Sequence, residues 1–301
     1  MPAILLVTEL IAFGCARTVQ CDPKLYYPRI PVLEKVAASA PGRIIGYACF
    51  PPIIPRMCGL NDVRGYDGVD PSRMVALVRM AADPRSLLPD YASTQLMAPQ
   101  AGLTPEGDVR IAPVLDMLGV RYVIFRSQPA EGARFAFQGE DYWVMTNSAA
   151  LPRVFVPQRV ETVTDSYEQL GKMQALEFNP REVAYVETPV NFAGTSRGAA
   201  EIVIEIPTRV TVSVRMETPG LVVLADSWDK GWQAYVNGKP VTILRTNHAV
   251  RGVAVPAGES KIEFRYEPAS FALGLKLSGV AALVLLGWVG FGVMKKPARQ
   301  E

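Results

Sequence analysis

The strongest constraint on this chain is Leu277–Met294, LSGVAALVLLGWVGFGVM, 18 residues without a charged side chain. A helix over it spans roughly 27 Å at about 1.5 Å per residue, close to the ~30 Å hydrocarbon core of a bilayer. Extending it back to Phe271 adds length, and the stem of Lys276 is long enough to snorkel toward the interface. Lys295, Lys296 and Arg299 follow at once, so the positive-inside rule predicts a cytoplasmic C-terminus and an extracytoplasmic main body. A buried core helix is the competing reading. The missing charges and the basic flank favour a span over 271–294.

What precedes the span is β by pattern. Asn237-Gly238 predicts a type I′ hairpin, because that turn needs positive φ at both central residues. Ile262, Phe264 and Tyr266 alternate with Lys261, Glu263, Arg265 and Glu267, giving a strand with one dry and one wet face, and Pro268 ends it. Further upstream, Ile202, Ile204 and Ile206 alternate, as do Val210, Val212 and Val214. Leu221–Ala225 is apolar throughout, as a central strand would be. Strand signals roughly every ten residues predict six to eight strands and a β-sandwich.

The first half reads as a small α/β layer. A helix over 32–39 precedes the strand-like RIIGYAC at Arg43–Cys49; a helix over 111–118, with Gly119 after its last turn, precedes VRYVIF at Val120–Phe125. Short strands are expected over 142–145 and 151–156, and a helix around Met74, Leu77, Val78 and Ala81. Phe50–Pro55 reads as a loop because of its prolines. The opening MPAILLVTELIAFG is apolar, carries Glu9 and lacks a basic n-region. It looks like the outer half of a transmembrane helix, which makes Met1 a truncation point or a late start; a cleaved signal is the alternative.

A net charge of +2 with dispersed Lys and Arg gives no electrostatic case for a nucleic-acid partner. Cys15, Cys21, Cys49 and Cys58 permit three disulfide pairings, with Cys49–Cys58 and Cys15–Cys21 the natural candidates by proximity. No CxxC or neighbouring His supports a metal site, and no phosphate loop, dinucleotide fingerprint, HExxH or EF-hand occurs, so no cofactor is expected.

Three constellations are candidates for function. In the turn-rich loop Asn61–Asp70, Asp62, Arg64, Tyr66, Asp67 and Asp70 surround two glycines. They suit a sugar hydroxyl, a phosphate or a cation, or else simply satisfy the backbone of a folded turn. Trp228, Trp232 and Tyr235 suggest a carbohydrate platform. Yet Trp232 and Tyr235 have opposite parity in one strand and face opposite sides, so at least one belongs to packing. Gly194–Gly198 is a literal GxSxG around Ser196, with Asp226, Asp229 and His248 downstream. That motif requires a following helix, whereas Ala199–Ile204 reads as a strand, which favours a loop. His248 is the sole histidine and is expected to be structural or exposed.

Several stretches together resemble the C-terminal part of the YfhO family of bacterial multi-pass membrane proteins. These are LLVTELIAFG, YYPRIPVLEKV, LNDVRGYDGVDPSR, LGVRYVIF, NSAALPRVFV and SWDKGWQAYVNGKPV…VPAGESKIEFRYEP before the last helix. The resemblance implies a branch of the C-type glycosyltransferases, with many transmembrane helices and then an extracytoplasmic domain, acting on cell-wall polymers or lipids with a polyprenyl-phosphate sugar donor. The polytopic half that carries the catalytic acidic residue in that superfamily has no counterpart in these residues, so no catalytic residue is carried over.

The patterns together predict an α+β chain. It has a partial transmembrane helix over 1–16, an extracytoplasmic α/β region over 17–180, an antiparallel β-sandwich over 181–268, a transmembrane helix over 271–294 and a cytoplasmic tail over 295–301. The expected role is the membrane-anchored, extracytoplasmic part of a glycosyltransferase-like envelope protein in the bacterial cytoplasmic membrane, non-catalytic by itself. Its expected partners are the lipid bilayer and a polyprenyl-phosphate sugar or envelope glycan. The alternatives are a structural module packing on a separate polytopic subunit, or a sugar-binding module.

Overall fold

The helix–strand alternation of the first half builds a four-stranded sheet. The computed structural model describes residues 2–15, 29–65, 70–85, 94–95, 97–175 and 177–294. Strands Arg43–Gly46 and Val120–Arg126 pair in parallel, as two helix-fed strands of one layer should; Tyr142–Thr146 and Phe137–Gln138 complete the order by antiparallel pairing. Helix Pro31–Ala37 covers one face through Val32, Leu33 and Val36, packed with Ile44, Tyr122, Ile124 and Val144. The alternate residues Ile45, Val123, Trp143 and Met145 enter a larger core, together with helices Ser72–Met80, Pro113–Met117 and Ser166–Gln174.

The far wall of that core is a six-stranded sheet in the order Val154–Phe155, Gly220–Ser227, Val250–Val255, Leu244–Thr246, Val183–Val186, Arg159–Thr162. Strand Gly220–Ser227 explains its own composition. Leu221, Val223 and Ala225 point into the first core, while Val222 and Leu224 point into a second. Over Leu221–Ala225 both faces are dry, which produces the uninterrupted apolar run that ends at Asp226. Against its second face lies a five-stranded antiparallel sheet in the order Gly198–Ile206, Arg209–Met216, Gly258–Tyr266, Trp232–Val236, Lys239–Val241. Val210, Val212, Val214, Ile262 and Phe264 fill the shared core. Nine strands, all within Val183–Tyr266 and counted among the described residues, replace the six to eight expected.

The Asn237-Gly238 turn forms as anticipated, with φ of 51° and 79°, and joins Trp232–Val236 to Lys239–Val241. Other expectations need correction. The proline-rich stretch after Phe50 contains a short helix, Ile53–Met57. Pro55 falls in its first turn, where a backbone N–H would have no helical partner, so the missing donor costs nothing there. The helix expected over 111–118 is shorter, Pro113–Met117, because Ile111 ends the strand Val109–Ile111. The alternation Ile202/Ile204/Ile206 does not make a buried face: Ile204 and Ile206 are exposed. The strand is the sheet edge and bulges between Ile202 and Ile204; Ala200 and Ile202 still pack on the second core, but beyond the bulge both faces are open. Cys15, Cys49 and Cys58 are free thiols, so the expected Cys49–Cys58 link is absent; Cys21 lies outside the described residues.

Strand Gly258–Tyr266 runs almost directly into helix Ala269–Met294, whose Ala269–Phe291 portion has mean hydropathy 1.9. Among the described residues it is the one helix long and apolar enough to cross a bilayer, and its side chains are exposed from Ala269 to Phe291. Pro2–Cys15 is a shorter apolar helix, about 21 Å at 1.5 Å per residue.

Candidate functional site

Asp62 and Arg64 are brought together and buried. Arg64 Nε and Nη2 donate to the two oxygens of Asp62 at 3.0 and 2.8 Å, its Nη1 donates to the Gln95 carbonyl at 2.7 Å, and its Nη2 also reaches the Phe50 carbonyl at 3.2 Å. The backbone N–H of Arg64 donates to Asp62 as well, at 2.9 Å. This fork ties three loops to one another, which is the backbone-satisfying arrangement such turns favour. Tyr66 and Asp67 lie outside the described residues.

Trp228 and Trp232 are half-buried, each with an arginine across the ring. The Arg245 guanidinium lies 3.9 Å from the Trp228 centroid and that of Arg251 lies 4.0 Å from Trp232. Glu187 orders the first stack by pairing with both Arg245 and Arg73. Trp232 also tilts against Tyr266 with centroids 5.2 Å apart, at the end of the strand that leads into the apolar helix. Tyr235 faces away from the core and carries Arg265 at 4.6 Å.

The GxSxG stretch leads into strand Gly198–Ile206, and the Ser196 hydroxyl donates to the Pro219 carbonyl at 3.3 Å. His248 is buried in a turn. Its backbone N–H donates to Gln169 Oε1 at 2.7 Å, its Nδ1 lies 3.2 Å from the Ser166 carbonyl, and burial, then the charge of Arg73, hold its pKa down. Asp226 serves neither residue. It accepts from Arg43 at 2.6 Å, from Arg153 at 2.7 and 2.8 Å and from Arg251 at 2.9 Å. Burial pushes its carboxyl pKa up, but the Arg153 hydrogen bonds and the charges of Arg43, Arg153 and Arg251 more than offset that, so it ends below the usual carboxylate range. Two of these arginines, Arg43 and Arg153, also line a cleft of about 910 Å³, together with Arg121 and the edge strand.

A second cleft, of about 440 Å³, holds the strongest chemical feature. Helix Pro113–Met117 presents Asp116 to it, and the loop after strand Tyr142–Thr146 supplies Asn147. Asn147 is buried with both ends of its amide engaged. Nδ2 donates to Asp116 Oδ1 at 2.6 Å and to the Val120 carbonyl at 2.9 Å, while Oδ1 accepts from the Ala149 N–H at 3.1 Å. Burial raises the Asp116 pKa to about 6, against the Asn147 hydrogen bond and the charges of Arg181 and Arg110. A half-buried carboxyl, a locked amide and two arginines on one cleft fit a small polar ligand. Sequence reading missed this site because Asp116 sits in what reads only as a short apolar helix, and Asn147 and Arg181 are distant in the chain.

Residues 204–278 match the family model described as "Bacterial membrane protein YfhO". A curated relative, "Uncharacterized protein YfhO" of Bacillus subtilis (strain 168), is 30% identical over 88 residues, 29% of this chain and 10% of that protein. The chain therefore aligns with about a tenth of the relative's length. A solved structure titled "Single-Particle Cryo-EM Structure of Arabinofuranosyltransferase AftD from Mycobacteria" is 21% identical, covering 24% of this chain and 6% of that one, with a TM-score of 0.20. At that score the likeness carries no argument about fold or activity.

Proposed function

We propose that this chain, a YfhO-family C-terminal region, is the extracytoplasmic, membrane-anchored portion of a glycosyltransferase-like cell-envelope membrane protein and is non-catalytic by itself. One observation carries the reading: the family match runs from the edge strand, through the five-stranded sheet, into the first turns of the apolar helix. The matched part is thus a β layer followed almost directly by an apolar helix of membrane-spanning length. The two facing sheets with a common core support the β-sandwich reading of this part, and Lys295, Lys296 and Arg299 support a cytoplasmic C-terminus. The partners in this reading are the bilayer and a polyprenyl-phosphate sugar or envelope glycan.

The test is topology. In a background with the native cysteines replaced, Lys239→Cys at the hairpin should react with a membrane-impermeant maleimide in intact cells, and Arg299→Cys only after lysis. The reverse pattern would sink the proposal. A second reading, a module that packs on a separate polytopic subunit, is favoured by the exposed apolar residues Val203, Ile204 and Ile206 on a free sheet edge. Photocrosslinking from position 204 to a membrane protein in cells would support it.

A further inference from the structure

Most described arginines of this protein are spent on carboxylates, but Arg110 and Arg181 are not. Both line the 440 Å³ cleft, and among the described residues neither guanidinium makes a hydrogen bond or ion pair. Both act electrostatically on Asp116 without pairing with it. Asp108, also on the cleft, is instead drawn to Arg134 at 3.8 Å. Asn147 occupies only Oδ1 of Asp116 and is itself fixed by the Val120 carbonyl and the Ala149 N–H, so the carboxyl is held in place with its second oxygen open to a ligand.

We propose that this cleft binds an anionic sugar, with its negative group between Arg110 and Arg181 and a ring hydroxyl donating to Asp116. The choice of a sugar rests on the envelope-glycan reading above; the anion and hydroxyl contacts rest on the cleft. Guanidinium groups pair bidentately with phosphate or carboxylate, and two of them without partners make a site for one such group. A neutral sugar leaves both cations unmatched. Inorganic phosphate satisfies the cations but leaves most of the cleft unfilled and meets the Asp116 carboxylate with repulsion. A ligand with both features satisfies Arg110, Arg181 and Asp116 together, while Glu106 on the same cleft stays exposed to solvent, and the volume accommodates one sugar ring with its substituent.

The experiment is isothermal calorimetry on the full chain in nanodiscs at pH 7.5. The probes are glucuronate, galacturonate, the corresponding sugar 1-phosphates, the neutral sugars and inorganic phosphate. At least one anionic sugar should bind ten-fold or more tighter than its neutral counterpart and than phosphate. Uronates against 1-phosphates identify which anion the arginines take. Arg110→Gln with Arg181→Gln should weaken that binding at least ten-fold. Both side chains are exposed, so the variant keeps its fold, which circular dichroism checks. Asp116→Asn should narrow the preference for sugar phosphate over phosphate. Absence of binding by every anionic sugar, or phosphate binding as tightly as they do, overturns the proposal. An inverted topology in the labelling experiment would overturn the envelope reading while leaving these binding results intact.

Discussion

Arg43 and Asp226 lie 183 residues apart in the chain and meet at 2.6 Å. Arg43 also donates to the carbonyls of Leu118 and Ala225, so one guanidinium joins the first strand of the four-stranded sheet to the middle of the six-stranded one. Arg153 and Arg251 converge on the same carboxylate from two further strands or their flanks.

Asp226→Ala should therefore be severe. It leaves three guanidinium groups facing one another without their shared counter-charge, and removing one partner of a buried pair costs about 3–5 kcal/mol. Thermal unfolding followed by near-ultraviolet circular dichroism reads this directly; a shift equivalent to less than ~1 kcal/mol would show that the hub does not hold the sheets. Because the native carboxyl pKa is lowered, its contribution is present above the unfolded value near 3.9 and is lost only as pH falls through the depressed native value.

Asp116 should show the opposite pH dependence. Its native pKa is raised to about 6, so the folded state holds a proton that the unfolded chain has released, and stability falls as pH rises from about 4 through 6. Asp116→Asn keeps an acceptor for Asn147 and removes the buried charge. Its melting temperature should exceed that of the native protein at pH 7.5, with the gap closing toward pH 4. A gap independent of pH would mean that the carboxyl does not titrate in this window.

Trp232→Ala should destabilise by about 2 kcal/mol, combining the loss of the Arg251 stack and of the Tyr266 contact. Nε and Nη1 of Arg251 are buried without hydrogen-bond partners, so the ring face is what those atoms meet. Trp232→Phe should recover most of the loss in a denaturant titration. If both variants melt like the native protein, the stack is not structural.

Gly238→Val tests the hairpin. With φ at 79°, a β-branched residue pays roughly 1–2 kcal/mol for the left-handed conformation, although nothing lies close enough to clash with its Cβ. Gly238→Asn, which tolerates that region, should cost much less. Equal stability of the two variants would argue against a positive-φ turn.

The turn at Asn237-Gly238, the strands at Arg43 and Val120, and the apolar helix were all legible in the sequence, because each is set by neighbours within a few residues. The edge-strand status of Gly198–Ile206 was not. Its isoleucines alternate as a half-buried strand would, and only the order of strands in the sheet and the bulge after Ile202 leave them open. The Asp62–Arg64 fork was visible as a cluster, but its burial and its carbonyl partners at Phe50 and Gln95 depend on loops that approach from elsewhere.

The sequence by itself determined the local conformations and the membrane-length helix, since hydrophobic period, turn chemistry and uninterrupted apolar length act along the chain. The tertiary structure alone decided which charges pair. Arg43, Arg153 and Arg251 find Asp226, while Arg110 and Arg181 are left open beside Asp116. Ion pairs and clefts depend on distances through space, and those are fixed only once the sheets have stacked.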